Sequence, residues 1–392
     1  MNHKPTLTQS WRWFGPEDPV TLQDIKQAGA TSIVSSLHHI PNGDVWTQEE
    51  IRKRLDVIQK AGFTWGVVES LPVHEAIKLG TADRDSYMEN YIQSLENLAS
   101  EGLNHIVYNF MALTDWTRTD LYYEDSDGAL TISYNHAEIA MFDLFILERT
   151  GASADYSEAL KQHAAFLYDS LANKEKDRIT KTILMGLPGT VEDLSLEVFK
   201  QKLEAYRALG KDGLRENFVY FLKSVLPVAE KLKITLSIHP DDPPFTIFGL
   251  PRMVSVAEDL AFILKTFPSD SNAITLCTGT FGANPKNKVT EIIDRFADRI
   301  SFYHLRNVKL EANHCFFESK LFEGSLNMTE IASKILKEQE RRGMNDFIPY
   351  RPDHGQAILS DPSRNTYPGY PAIGRLKALA ELRGLFEGLN YR

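Results

Sequence analysis

Short runs of β-branched and aromatic residues recur along this chain between longer stretches whose apolar residues fall three and four apart. That alternation is the mark of parallel strands joined by helical crossovers. The runs are Trp11 to Gly15, Thr31 to Leu37, Trp65 to Ser70, His105 to Phe110, Ile234 to His239, Ile274 to Thr278, Ile300 to Leu305 and Phe347 to Arg351. Eight such strands are what a closed (β/α)8 barrel requires. Amphipathic stretches at Glu49 to Ala61, Asp85 to Ala99, Val254 to Lys265 and Met328 to Arg341 supply crossover helices.

The interval from Leu113 to about Lys233 is too long for one crossover. It begins with YYEDSDGALTISY, two β-prone runs around Asp127-Gly128, which reads as a hairpin. Helical patterns follow at roughly 136 to 149, 155 to 172, 195 to 208 and 212 to 232, with Gly and Pro punctuation at Gly186 to Gly189. At 392 residues the chain exceeds a minimal barrel of about 250. The expectation is an α/β protein: a single (β/α)8 TIM barrel domain over 1–392, with a hairpin-plus-helices insertion after strand four at about 114–210.

Composition narrows the partners. No segment approaches the roughly 18 uncharged apolar residues of a membrane helix, and the N-terminal stretch lacks an apolar region behind a basic one. A soluble, cytoplasmic protein with no membrane partner is expected. The net charge of −10 opposes binding to phosphate backbones, so nucleic acid is not an expected partner. Two cysteines, Cys277 and Cys315, are too few for a disulfide scaffold and are read as separate thiols. A homodimer is the expected assembly.

Residues able to bind metal or move protons cluster where strands five to eight end. Strand five ends at His239-Pro240, where the proline holds the histidine extended. Strand six ends at Cys277, strand seven at His304-Leu305-Arg306, and strand eight leads into Asp353-His354. In a (β/α)8 barrel all four ends open on the catalytic face. Singly, a strand-end cysteine or histidine is an ordinary core residue and Asp353 an ordinary cap. Together, His239, Cys277, His304 and Asp353 form a mixed N, S and O set suited to Mn, Fe, Co or Zn, and ill suited to Mg or Ca. Arg306 is placed to grip a carboxylate, and Arg12, His38 and Asn109 stand at or near the ends of strands one, two and four as substrate-binding candidates, with a salt bridge between neighbouring strand ends as the equal alternative for Arg12 and Arg306. His314 and Cys315 fall in the loop after strand seven and are read as peripheral.

The chain resembles the mannonate dehydratase family, metal-dependent lyases with a xylose-isomerase-like barrel. The resemblance rests on Arg12-Trp13-Phe14-Gly15, the Pro41 to Trp46 loop, SIHPDDPP at 237 to 244, LCTGT at 276 to 280, FYHLRNV at 302 to 308, RPDHG at 351 to 355 and PGY at 368 to 370, and it covers nearly the whole chain. It implies dehydration of D-mannonate to 2-keto-3-deoxy-D-gluconate in hexuronate (glucuronate) catabolism. It further implies Mn2+ or Fe2+ held by His239, Cys277, His304 and Asp353, with His354 and Tyr370 in proton transfer. The stretch from Ser360 to Pro368 is longer than the family's shortest form, which leaves Tyr367 as a substitute for Tyr370. His354 suits the base that takes the C2 proton and Tyr370 the acid that releases the C3 hydroxyl, although the two assignments can be exchanged. An aldose-ketose isomerase is the main alternative, and such sites favour carboxylate-rich, often paired metals. A metal-dependent phosphodiesterase would want a basic surface, and a non-catalytic sugar-binding protein a metal-free pocket.

Overall fold

The computed structural model describes residues 7–185, 194–343 and 346–391, so the punctuation at Gly186 to Gly189 lies outside the described residues. Twelve strands are formed among them: β1 Thr8–Arg12, β2 Ser32–Ser35, β3 Thr64–Glu69, β4 His105–Tyr108, β5 Asp120–Glu124, β6 Leu130–Tyr134, β7 Thr235–Ile238, β8 Asn272–Cys277, β9 Ile300–His304, β10 Asn307–Leu310, β11 Phe316–Ser319 and β12 Pro349–Arg351. Eight close a barrel in the order β1-β12-β9-β8-β7-β4-β3-β2, with every pair parallel. The α/β barrel expected from the sequence is therefore formed.

Strands of such a barrel are covered on both faces, which explains their near-continuous apolar character. In β2, Ile33 joins the large core between strands and helices, while its neighbour Val34 points inward to meet Val67, Val107 and Phe302. The crossover Gln48–Lys60 illustrates the helices. Thr47 caps it by accepting from the Glu50 N–H, Glu49 and Glu50 lie in the first turn and Lys60 in the last, each sign suiting the helix dipole. Its Ile51 and Ile58 are buried, and Arg54 reaches in to Ser35 Oγ at 3.0 Å and the Ser36 carbonyl at 2.7 Å.

Strand one begins and ends three residues earlier than the sequence pattern suggested. The Trp13 N–H still bonds the Val34 carbonyl, but Gly15 turns the chain away at φ +119 with the Arg54 guanidinium against it. The aromatic residues Trp13 and Phe14 are buried as a loop over the barrel mouth, not as ladder residues.

After β4, β5 and β6 form the expected antiparallel hairpin around Gly128. Helices follow at His136–Met141, continuing through a π-helical turn Phe142–Ile146, then at Glu158–Ser170, at Asn173–Met185 and along Leu196–Leu232, the last interrupted at Gly210 with φ 67°. The hairpin does not stand alone. Its β6 pairs with β11, which pairs with β10, giving a four-stranded sheet ordered β10-β11-β6-β5 outside the barrel. Among the described residues no helix is long and apolar enough to cross a membrane.

Candidate active site

Strand register brings the site together. Cys277 of β8 lies opposite His304 of β9, and His304 lies opposite Arg351 of β12. On the next strand pair, Tyr108 is level with Ile238, so His239 emerges immediately past the end of β7. A nitrogen of His239, the Cys277 sulfur and a nitrogen of His304 all lie within 4.8 Å of one another. His239 Nε2 and His304 Nδ1 face each other at 3.2 Å.

The remaining nitrogens of these rings are turned to other partners. His239 Nδ1 is 2.8 Å from the Pro240 carbonyl and donates to it, which leaves Nε2 with its lone pair. His304 Nε2 sits 3.3 Å from Glu69 Oε2, near but off the line of a hydrogen bond. Burial holds the His239 pKa below its ordinary value, which favours the neutral ring that a metal requires. Two imidazole lone pairs that converge need a proton or a cation between them, so this arrangement fits a divalent metal. Cys277 Sγ is oriented by the Thr280 hydroxyl at 3.0 Å and the Thr280 N–H at 3.4 Å.

Asp353 adjoins this group, with Oδ2 3.4 Å from Cys277 Sγ and Oδ1 3.8 Å from His304 Nδ1. Burial alone would raise its pKa, but the charges around it, Arg351 foremost, hold the carboxyl well below the usual range. Arg306 donates to it from Nε at 2.6 Å, and Arg351 Nη1 lies 2.5 Å away. The same Arg306 binds Asp242 at 2.6 Å, Thr280 Oγ1 at 2.9 Å and the Glu318 carboxylate. Of the two readings of Arg306, substrate contact or salt bridging, the structure displays the internal ion pairs. Its fork is buried and engaged by three carboxylates of the chain itself.

His354 Nε2 is 3.1 Å from the Tyr370 hydroxyl, and its Nδ1 lies 3.3 Å from Glu318 Oε1. Burial pushes the Tyr370 pKa up to about 12. Tyr367 instead packs its ring on Phe14, at 4.9 Å between centroids, and is only partly buried. Of the two tyrosines, Tyr370 is the one that meets His354. His314 and Cys315 lie away from this site, against His136 and Phe245.

On the side of β1 to β4 a cavity of about 330 Å³ opens, lined among others by Arg12, His38, Asn109 and Lys78. Arg12 donates to Glu69 Oε1 at 2.9 Å, and the other oxygen of that carboxylate faces His304, so one residue separates the cavity edge from the metal-binding group. The Nε2 of His38 is buried and meets no hydrogen-bond partner among the described residues, and burial together with Arg12 and Arg54 lowers its pKa to about 3. Asn109 donates to Asp115 at 3.2 Å.

Sequence reasoning missed Glu69 and Glu318. Glu69 closes β3 behind the apolar run Val67-Val68, the same strand-end position that singled out the histidines, so a stricter reading of strand ends would have found it. Glu318 left no such signal, because the chain after strand seven reads as loop and its β11 is recognisable only once paired with β6.

The sequence profile of D-mannonate dehydratase matches residues 7–392. The mannonate dehydratase of Marinomonas sp. strain MWYL1 is 45% identical over 388 residues, 98% of this chain and 99% of that protein. That of Chromohalobacter salexigens is 44% identical over 382 residues, 97% and 98% of the two chains. The crystal structure of mannonate dehydratase from Streptococcus suis serotype 2 superposes with a TM-score of 0.77 at 30% identity, covering 98% of this chain and 94% of that one. A D-psicose 3-epimerase, with a TM-score of 0.51 at 13% identity over 97% of this chain and 99% of its own, shares the fold alone. Matched along its described length by both sequence and structure, the chain belongs to the D-mannonate dehydratase family.

Proposed function

We propose that the chain dehydrates D-mannonate to 2-keto-3-deoxy-D-gluconate, with Mn2+ or Fe2+ held by His239, Cys277, His304 and Asp353. The observation that carries this reading is the convergence of two imidazole nitrogens 3.2 Å apart beside a cysteine sulfur, in a chain of this family. When bound, the cation supplies the Lewis acidity that offsets negative charge developing at C2 beside the substrate carboxylate.

His354 is the base. Its Nε2 lone pair takes the C2 proton, and the C3–O bond breaks as Tyr370 gives its phenolic proton to the departing hydroxyl, which leaves as water. A phenol with its pKa at about 12 remains protonated at neutral pH and so is always available as the donor. The resulting enol tautomerises to the 2-keto acid. Proton transfer across the 3.1 Å contact from His354 back to Tyr370 then restores both groups for the next turnover. Arg12, His38 and Asn109 hold the polyol chain in the adjoining cavity, His38 as a neutral hydrogen-bonding ring.

Incubation of the Mn2+-loaded protein with D-mannonate tests the reading, with a 2-keto-3-deoxy acid as the expected product. No such product with either Mn2+ or Fe2+ would count against it. The same reading has the enzyme working in the cytoplasm as a homodimer, and sedimentation of the purified chain tests the second point.

A further inference from the structure

We infer that Glu318 is a positioning residue that fixes which nitrogen of His354 carries the proton, an inference that rests on the reading of His354 as the base. Glu318 comes from β11, in the sheet outside the barrel, and its side chain is buried beside His354. Two atoms here are buried without a hydrogen-bond partner among the described residues: His354 Nδ1 and Glu318 Oε2. They belong to groups already 3.3 Å apart at Nδ1 and Oε1. Leaving Nδ1 unpaired in the interior is costly, and the Glu318 carboxylate is the acceptor that lies beside it.

The surroundings hold the carboxylate for that task. Arg118 Nη2 binds Glu318 Oε1 at 2.7 Å and Arg306 Nη1 binds the same oxygen. The Glu318 backbone carbonyl accepts from Thr131 Oγ1 at 2.9 Å and Gln356 Nε2 at 3.1 Å, pinning β11 to β6 and to the loop after β12. Arg306 foremost outweighs burial and draws the Glu318 pKa down to about 2, so the group is an ionised acceptor at neutral pH.

A proton on Nδ1, shared with Glu318, leaves the Nε2 lone pair facing Tyr370 and the substrate. Without the carboxylate the ring is free to carry its proton on Nε2, and an N–H aimed at C2 cannot act as a base. The hairpin after β4 and the excursion after β9 therefore combine to complete the barrel site.

The test compares native enzyme with Glu318→Gln and Glu318→Asp, each loaded with Mn2+, by kcat and KM for D-mannonate and by metal per chain. For Glu318→Gln, kcat is expected to fall on the order of 100-fold with KM and metal content within threefold of native. Glu318→Asp keeps the charge between the two guanidiniums but withdraws it from the ring, so its kcat is expected to fall on the order of 10-fold with metal retained; if Glu318→Gln does not fold, a Glu318→Asp kcat within threefold of native overturns the inference. A kcat within threefold of native in Glu318→Gln overturns the inference. So does a kcat loss in both variants that merely tracks lost metal. His354→Asn separates the two ideas. If it is fully active, the base reading has failed. If it is inactive while Glu318→Gln is unaffected, only the role of Glu318 has failed.

Discussion

His354 and Tyr370 reach one another from opposite ends of a loop, and their roles make the sharpest predictions at the residue scale. His354→Asn and Tyr370→Phe, with metal still bound, should each lower kcat by about 10²- to 10⁴-fold, read from the rate of 2-keto-3-deoxy acid formation. Near-native turnover in either variant removes that residue from the mechanism. Glu69 faces the outer nitrogen of His304 and should act on the metal through that ring. Glu69→Gln is expected to weaken Mn2+ binding by about 10- to 100-fold, measured by direct titration. Unchanged affinity would limit Glu69 to its pairs with Arg12 and Arg351. At this scale His239, Cys277 and His304 were legible because each sits at the end of an apolar run, where the barrel's topology makes neighbours of distant residues. The partners of Arg306 were not legible for a related reason. Its place beside His304 was visible, but the carboxylates that occupy it come from Asp242, Glu318 and Asp353, and only the closed fold brings these to one guanidinium.

The elements of the barrel were legible from periodicity, since parallel strands buried on both faces give unbroken apolar runs and amphipathic helices give the 3.6-residue repeat. The first strand was displaced because Trp13 and Phe14 are as apolar as ladder residues, and nothing local says that they cover the mouth of the barrel. The outer sheet was half legible. Asp127-Gly128 announced the hairpin, but pairing of β6 with β11 joins segments roughly 180 residues apart, as the contact of Phe316 with Tyr134 records, and local sequence carries no trace of it. Ile132, fully buried on β6 against Trp116 and Leu121, tests how firmly that sheet is held. Ile132→Ala should cost about 2–5 kcal/mol in denaturant unfolding. A loss below 1 kcal/mol, taken as roughly the lower edge for a core methyl group, would mean the sheet relaxes to fill the space.

For the whole molecule, pH reveals a group far from the chemistry. His105 begins β4 at the opposite end of the barrel, between Ser237 and Ser301, and burial lowers its pKa to about 4. Because the unfolded ring titrates near 6.5, the unfolded chain binds this proton more readily than the folded one. Its contribution to stability is therefore present above pH 6.5 and is lost as pH falls from there towards 4. Denaturation midpoints from pH 7.5 to 5 should decline, and His105→Gln should flatten the decline; an identical slope in the variant would assign it to other groups.

The proposed dehydration depends on one cation gathered by side chains from four strand ends. Elemental analysis of the dialysed protein alongside its D-mannonate turnover addresses it directly. One divalent ion per native chain is expected, and so is a His239→Ala variant that loses metal and turnover together. A native chain that holds no metal and still dehydrates D-mannonate at full rate would contradict it.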